Sequence, residues 1–175
     1  MIKNIYYVFC TLQKFIFHWK RLKLHGIQKL QFDTQLKIKD NGKIILGKRT
    51  FTDKRVALLV KGGILEIGDY VFFNRNCTIA AQNKINIGNR CIFGPNVIIY
   101  DHDHIFNHDG IINEKYNTSP VIIEDNCWVG ANVTILRGTH IGKGCVIGAG
   151  SVVNGDIPAH SLVVSNRELI IKQIK

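Results

Sequence analysis

The chain has 175 residues, 46% of them hydrophobic and 21% charged, which predicts one domain with a substantial core. Its formal net charge is +10, but six basic residues lie in the first 30 positions, which hold no acid, and the chain contains no nucleic-acid-binding motif, so we expect no nucleic-acid partner. Five cysteines without a recognisable secretory signal predict reduced thiols rather than disulfides, and hence a cytoplasmic protein.

The first 30 residues are predicted to form a basic amphipathic helix. Apolar side chains at i, i+3 and i+4 spacing make one stripe: Ile5, Val8, Phe9, Leu12, Phe15, Ile16, Trp19 and Leu22. Lys3, Lys14 and Arg21 fall on the opposite face. Gln13, Lys14 and His18 interrupt the apolar run, which is therefore too polar for a membrane span. Two interpretations stay open: the helix packs on its own domain, or it makes peripheral contact with an anionic membrane surface.

A six-residue repeat governs residues 31–165. Large aliphatic residues recur at this spacing near the end: Ile123, Val129, Ile135, Ile141, Ile147 and Val153. Two upstream runs, separated by a slip of two residues, have the same period: Ile67, Phe73, Ile79 and Ile85, then Ile87, Phe93 and Ile99. A weaker phase contains Leu46, Thr52, Leu58 and Ile64. The period predicts a prism of short parallel strands, three hexapeptides to a coil, with Asn and Gly at its corners. Ile123 should therefore stack on Ile141, and Val129 on Ile147.

Four cysteines occupy one slot of this repeat, four residues after a large apolar residue: Cys77, Cys91, Cys127 and Cys145. Valine fills the same slot at positions 71, 97 and 133. The slot therefore favours small apolar side chains, and a buried thiol behaves as one. A catalytic cysteine needs an electropositive, partly open site, and nothing in the sequence marks one.

Three stretches carry a resemblance to a known family: "IGNRCIFGPNVIIY", "VIIEDNCWVGANVTILRGTHIGKGCVIGAGSVV" and "DIPAHSLVV". Over roughly residues 40–165 the chain resembles the hexapeptide-repeat acyltransferases, and most of all their sugar O-acetyltransferase branch. That branch includes galactoside and maltose acetyltransferases and enzymes that modify bacterial surface polysaccharides. The resemblance implies an all-β fold, a left-handed parallel β-helix assembled as a homotrimer. The left hand follows from the resemblance alone, because ordinary β-crossovers are right-handed.

The repeat stops after Ile99 and resumes at Ile123, which predicts an excursion loop at residues 105–120. Its lip, "IIYDHDHIFNHDG", holds three histidines. In an extended chain His102 and His104 point to one side, and Asp101 and Asp103 to the other. Three interpretations compete: a general base, a metal site that also uses His108, and a polar loop without a function. We favour the base and expect no metal.

The resemblance also implies roles for residues around this loop. Ten residues after Gly94 it places a catalytic histidine, His104, with His102 as a supporting group. Asn74, in "FFNRNC", matches an acceptor-binding asparagine, and Trp128 would line the site; their structural alternatives are a corner residue and an aromatic that closes a coil. Gln82 stands where galactoside-type enzymes have a substrate-binding aspartate, so we expect a different sugar acceptor.

The acyl donor implied by the resemblance is acetyl-CoA. The backbone N–H of Ala131, after Gly130, would stabilise the oxyanion, and Ala149, after Gly148, would contact the pantetheine arm. The family's threonine–lysine pair reads Asn154–Gly155 here, and its "GNPA" word reads "SNRE" at 165–168. In the predicted tail, residues 166–175, Leu169 and Lys172 occupy two positions that meet CoA phosphates, and Arg167 is a candidate replacement.

Together these observations predict an acetyl-CoA-dependent O-acetyltransferase acting on a sugar in bacterial surface-polysaccharide synthesis. Three alternatives stay open. The same architecture would serve N-acetylation of an amino sugar nucleotide. A zinc enzyme similar to the γ-type carbonic anhydrases would need metal. A non-catalytic β-helix scaffold would bind no CoA.

Overall fold

A computed structural model describes residues 2–165 of the chain. An N-terminal helix, α1 (Ile2–His18), precedes a parallel β-solenoid whose strands form three sheets, one for each side of a prism. This architecture confirms the predicted all-β class and is consistent with the left-handed β-helix. Arg167 and Lys172, and the predicted tail, lie outside the described residues.

Each sheet collects one strand from every coil, and we call the sheets faces A, B and C. Face A contains β1 (Leu22–Leu24), β3 (Lys43–Leu46), β6 (Ile64–Ile67), β9 (Lys84–Ile87), β14 (Val121–Ile123), β17 (His140–Ile141) and β20 (Asp156–Ile157). Face B contains β4 (Phe51–Thr52), β7 (Phe72–Phe73), β10 (Ile92–Phe93), β15 (Trp128–Val129), β18 (Val146–Ile147) and β21 (Leu162–Val163). Face C contains β2 (Gln35–Lys39), β5 (Ala57–Lys61), β8 (Thr78–Ala81), β11 (Ile98–Tyr100), β16 (Thr134–Ile135) and β19 (Val152–Val153).

The predicted stacking is confirmed in the later coils. Ile123 pairs with Ile141, and Val129 pairs with Ile147, eighteen residues on in each case. Earlier coils are longer: Ile67 pairs with Ile87, twenty residues on. The two-residue slip seen in the sequence arises here, because face A strands of four residues, such as β9, turn two side chains inward in place of one. In the weaker run of the repeat, the predicted inward position of Ile64 is wrong. Leu65 points into the core, and Ile64 is only half-buried.

The core is one column of inward side chains running the length of the solenoid. All four cysteines of the predicted slot are buried in it, and all five cysteines of the chain are free thiols. The corners adopt the predicted positive-φ conformation, with Asn76, Asn96 and Asn132 all near +60°. Their side chains form a ladder of amide hydrogen bonds of 2.9 Å from one coil to the next. The corners are thus fixed by sequence-local geometry and by contacts between coils.

The excursion between β11 and β14 is an antiparallel hairpin rather than a loop. It consists of β12 (His102–Asn107) and β13 (Gly110–Thr118), with a register shift after His104. The hairpin begins at His102, three residues before the predicted start at 105, and residues 119–120 link its end to β14. Asp109–Gly110 at the tip is a turn dipeptide typical of hairpins, and it is the signal that the sequence interpretation left unused.

Helix α1 ends at His18 rather than near residue 30, and β1 already belongs to face A, pairing Leu22 with Ile44. The helix packs on its own domain, but through the face that holds Tyr7, Cys10, Thr11 and Lys14. Within the described residues, no helix is long and apolar enough to cross a membrane.

The predicted apolar stripe of α1 mostly faces outward. The side chains of Ile5, Leu12, Ile16 and Trp19 are between 52% and 64% exposed. The first coil offers hydrogen-bonding partners to the opposite face of the helix. The Tyr7 hydroxyl accepts a hydrogen bond from Gln31 Nε2, and Lys14 Nζ donates to the Phe32 carbonyl at 2.9 Å. These hydrogen bonds, with the edge-to-face contact of Tyr7 on Phe51, hold the inner face of the helix on the domain.

Candidate active site

Asp101 is the buried centre of the histidine cluster. It takes the inward position that follows Val97 and Ile99 in the strand alternation, and its side chain is fully buried. One carboxylate oxygen accepts the backbone N–H of Gln82, and the other accepts that of Asn83, both at 2.8 Å. His102 Nδ1 lies 2.9 Å from Asp101 Oδ1. A buried carboxylate thus fixes the orientation of the His102 ring. The sequence interpretation missed this role, although an acid at an inward position was the available signal.

His102 and His104 lie on the same side of β12, as predicted, and share one neighbour. The ring of Tyr116, on β13, lies 5.5 Å from the ring of His102 and 4.8 Å from that of His104. His104 is exposed, and its ring nitrogens have no hydrogen-bond partner among residues 2–165. Its imidazole is therefore available to an incoming group, whereas that of His102 is already held by Asp101.

Contacts to neighbouring coils fix the base of the hairpin. The Arg137 guanidinium, in the corner after β16, pairs with the Asp103 carboxylate on the opposite side of β12 from the histidines. The Ser119 backbone N–H donates to the Asp101 carbonyl at 2.9 Å and closes the hairpin where the chain re-enters the solenoid. These contacts place the histidines on a supported strand, so their positions do not depend on the hairpin tip.

A groove runs from His102 along the outside of face C. It has a volume of about 230 Å³ and is lined by Gln82 and His102 at one end and by Lys37, Lys39 and Lys61 further along. Leu59 and Ala80 form part of its floor. We call it the lysine groove. It brings together two predicted site residues, Gln82 and His102, with three lysines that the sequence interpretation did not single out.

Other predicted residues lie on a different edge of the prism. Asn74, Gly130, Ala131, Gly148 and Ala149 line the edge between faces B and C, which we call the BC edge. The Asn74 side chain accepts the backbone N–H of Arg75 at 2.8 Å, which is a turn role. A Cβ on Gly130 would lie 2.7 Å from the backbone N of Ala149, so only glycine permits the coils to approach this closely here.

The backbone N–H of Ala131 has no hydrogen-bond acceptor in the described part of the chain. Among residues 2–165 the N–H of Ala149, one coil further on, donates no hydrogen bond either. Both residues are accessible at the surface of the BC edge. Trp128 lies nearby on the outside of face B and is 56% exposed. The edge thus presents two unpaired backbone donors beside an aromatic side chain.

His102 and His104 lie on another edge of the prism, between faces C and A, which we call the CA edge. Gln82 lies there too, as do Asn154 and Gly155, in the corner after β19. Within one chain, face C therefore separates the histidine cluster from Trp128 and Ala131. The predicted site residues thus form two separate groups on one chain.

Metal ligands are not clustered in the described part of the chain: residues 2–165 contain no group of three or more His, Cys, Asp or Glu side chains arranged to hold an ion. His108, which a metal site would have shared with His102 and His104, lies at the hairpin tip, 3.2 Å from the carboxylate of Asp109.

Comparison with known proteins shows which family the chain resembles. Residues 120–154 match the family described as the hexapeptide repeat of succinyl-transferase. The putative lipopolysaccharide biosynthesis O-acetyl transferase WbbJ of Escherichia coli is 32% identical over 146 residues, a match that covers 78% of this chain and 74% of that protein. The galactoside O-acetyltransferase of Lactococcus lactis is 40% identical over 97 residues, covering 55% of this chain and 47% of that enzyme.

The chain spans about half the length of several curated relatives that it matches, from 47% to 58%. Among solved structures, a hexapeptide-repeat acetyltransferase of Vibrio cholerae, complexed with acetyl coenzyme A, aligns with a TM-score of 0.53 and 24% identity. The alignment covers 87% of this chain and 71% of that one, and it shows a shared fold. The repeat, the solenoid and the similarity to WbbJ lead to one conclusion: the chain belongs to the hexapeptide-repeat acetyltransferase family.

Proposed function

We propose that the protein transfers an acetyl group from acetyl-CoA to a hydroxyl group of a sugar in bacterial surface-polysaccharide synthesis. The observation that carries this proposal is the exposed imidazole of His104, which contacts the ring of Tyr116 and whose nitrogens have no hydrogen-bond partner among residues 2–165, in a chain of this family. Similarity to a galactoside O-acetyltransferase and to WbbJ supports a sugar hydroxyl as the acceptor. The V. cholerae structure supports acetyl-CoA as the donor.

In the proposed reaction His104 acts as the general base. Its neutral imidazole takes the proton of the sugar hydroxyl while the hydroxyl oxygen attacks the thioester carbonyl. The tetrahedral intermediate then collapses, the carbon–sulfur bond breaks, and the CoA thiolate takes the proton from His104. His102, oriented by Asp101, has the supporting role of holding the acceptor or the ring of His104 in place.

The oxyanion of this intermediate needs a donor that is already in place. The Ala131 N–H is the candidate, since it has no acceptor among the described residues and lies on an exposed corner. The N–H of Ala149, one coil further on and next to Gly148, would contact the pantetheine arm in the same way, and the Asn154–Gly155 corner would lie further along the cofactor. Trp128 would cover the reacting group, and Asn74 and Gln82 would contact the acceptor.

Because the histidines and Ala131 lie on different edges of one chain, we propose a homotrimer in which the CA edge of one subunit faces the BC edge of the next. Each site is then completed by its neighbour. The division of the site residues between two edges supports this assembly, and subunit mixing experiments test it.

We further propose that the outer face of α1 contacts an anionic membrane surface at the cytoplasmic side. Charge complementarity supports this partner: the first 30 residues hold six basic and no acidic residues. Trp19, Lys20, Arg21, Lys23 and Lys43 line a cavity of about 590 Å³ at the end of the helix. An exposed apolar stripe next to such a basic cavity suits the headgroup region of an anionic bilayer.

The central experiment is a turnover assay with acetyl-CoA against neutral sugars, sugar nucleotides and polysaccharide fragments, with release of the CoA thiol as the readout. Transfer to a hydroxyl group supports the proposal. Transfer only to an amino sugar nucleotide would indicate N-acetylation, turnover lost after chelation would indicate a zinc enzyme, and absence of CoA binding would indicate a scaffold.

A further inference from the structure

The three lysines of the lysine groove form a compact cationic cluster. Lys37 and Lys39 lie on β2 and share its outer face, because side chains two apart in a strand point the same way. Lys39 is the direct register partner of Lys61 on β5, in the next coil. Neighbouring strands lie about 4.8 Å apart, so these two side chains leave the sheet side by side. All three side chains are exposed to solvent.

This cluster is not neutralised by the described side chains. None of the ion pairs within residues 2–165 involves Lys37, Lys39 or Lys61. Like charges directly opposite each other on a sheet destabilise the pairing of the strands. By contrast, Lys84 is paired with Glu66 at 3.0 Å on face A. The groove therefore keeps an electrostatic cost that a bound anion would relieve.

The cluster also reaches the histidines. Lys61 Nζ lies 6.0 Å from the centre of the Tyr116 ring, and that ring lies 4.8 Å from the ring of His104. The Tyr116 ring thus lies between Lys61 and the candidate base. His102 and Gln82 line the groove at the same end. An anionic group at the lysines would place an attached sugar ring against Tyr116, with its hydroxyl groups towards His104.

We propose that the lysine groove binds the phosphate or diphosphate group of a phosphorylated sugar acceptor, which positions the sugar for acetylation at His104. This inference rests on the proposed function. The shared chemistry is a glycosyl phosphate, and it has two sources: a sugar nucleotide in solution, or a sugar carried on a polyprenyl diphosphate. An acidic side chain at position 82 would repel phosphate. The uncharged amide of Gln82 is compatible with a phosphate from either source.

Direct binding tests the groove without any turnover. Isothermal titration of the full chain with inorganic pyrophosphate should give saturable binding that weakens as salt increases. The triple variant Lys37→Gln, Lys39→Gln, Lys61→Gln should bind at least about tenfold more weakly, because three ammonium groups are lost. A matched control, Lys48→Gln, Lys54→Gln, Lys143→Gln, removes the same charge from exposed corners outside the groove and should bind as the unmodified chain does.

Kinetics test the acceptor. For a glycosyl phosphate the triple variant should show a KM raised at least tenfold with nearly unchanged kcat, whereas the KM for acetyl-CoA should not move. A sugar nucleotide and a polyprenyl-diphosphate sugar in micelles, compared at equal concentration, identify the source. The substituted positions are exposed, so the thermal unfolding midpoint should be unchanged or higher once the repulsion between Lys39 and Lys61 is removed.

Two results would overturn the inference: pyrophosphate binding that is equal in the triple variant and the control, or neutral sugars acetylated as efficiently as their phosphates. If no acceptor of any kind is acetylated while pyrophosphate binding still depends on the three lysines, the proposed function fails and the anion site stands.

Discussion

Asp101 Oδ1 lies 2.9 Å from His102 Nδ1. This contact distinguishes His102 from His104, which lies two residues further along the same strand. His102 is half-buried and held, while His104 is exposed and its ring nitrogens have no hydrogen-bond partner among the described residues. A held imidazole has one nitrogen occupied and a fixed ring plane, which suits positioning. A free imidazole can approach a substrate hydroxyl with either nitrogen, which suits proton transfer.

The first prediction separates these roles. His104→Ala should lower kcat at least about a hundredfold, in line with the loss of general-base catalysis, and leave the KM for acetyl-CoA nearly unchanged. His102→Ala should cost less, and chelators should have no effect. Steady-state kinetics with acetyl-CoA and the best acceptor measure all three. Near-native turnover of His104→Ala, with His102→Ala or chelation abolishing activity, would transfer the role of base to His102 or to a metal.

The second prediction concerns the oxyanion donor. Ala131 occupies the corner position after Gly130 that Pro95 occupies after Gly94, in coils whose flanking residues Phe93 and Val129 are register partners. The backbone there already accommodates proline, so Ala131→Pro removes one N–H with little strain. We expect kcat to fall about a hundred- to a thousandfold with an unchanged unfolding midpoint. The control Ala131→Gly keeps the N–H and should remain active; equal activity of the proline variant would exclude this donor.

The third prediction tests the shared site. Subunits carrying His104→Ala and subunits carrying Ala131→Pro should each be inactive as pure assemblies. When the two are unfolded together and refolded as a mixture, some sites combine an intact CA edge with an intact BC edge, so activity should return. Light scattering should give the mass of a trimer. A stable monomer at micromolar concentration, or a mixture without recovered activity, contradicts a site built between subunits.

The fourth prediction concerns the outer face of α1. The triple variant Ile5→Ser, Leu12→Ser, Ile16→Ser changes exposed positions, so its unfolding free energy should stay within about 0.5 kcal/mol per site. Cosedimentation with phosphatidylglycerol vesicles should be lost, while acetylation of soluble acceptors should persist. Neutral phosphatidylcholine vesicles, which lack the anionic headgroup, serve as the control and should bind weakly in every case. Loss of the trimer in this variant would instead assign the stripe to a subunit contact.

The fifth prediction concerns the thiols. Burial raises the pKa of the Cys77 thiol to about 11, and a hydrogen bond with Cys127, together with burial, raises that of Cys91. The same hydrogen bond lowers the pKa of the Cys127 thiol to about 7, but all five thiols are buried, so the folded protein should react with a disulfide reagent only slowly. After unfolding without reductant, all five thiols should titrate. A count of three would show a disulfide, for which Cys127 and Cys145, in adjacent coils, are the neighbours.

The repeat made the solenoid predictable because its period is imposed by the coil itself. Most inward positions hold a large or a small apolar side chain, and that pattern is visible in a single sequence. The position of Asp101 follows the same alternation, two residues after Ile99, so its burial was within reach. What lay beyond the sequence was the partner, because the N–H groups of Gln82 and Asn83 come from the preceding coil.

For the N-terminal helix, the sequence predicted the element but not its contact face. Its apolar stripe predicted a helix, but the stripe does not identify the surface that the helix contacts. Tyr7, Cys10 and Lys14 face the domain because the first coil offers Gln31 and the Phe32 carbonyl as hydrogen-bonding partners. The lysine groove was hidden for a related reason. Lys39 and Lys61 are 22 positions apart, and only the register of β2 on β5 makes them neighbours.

The ladder of strands passes the excursion hairpin without a break. Ile87 on β9 pairs directly with Ile123 on β14, although 36 positions separate them, and the chain leaves at Asp101 and returns at Ser119. The hairpin is therefore an insertion, and the pairing of the solenoid strands continues past it. Its length and tip can diverge among descendants of one ancestral gene while the coils stay as they are. Under the proposed function, such changes would alter the surroundings of His104 without disturbing the register of the coils.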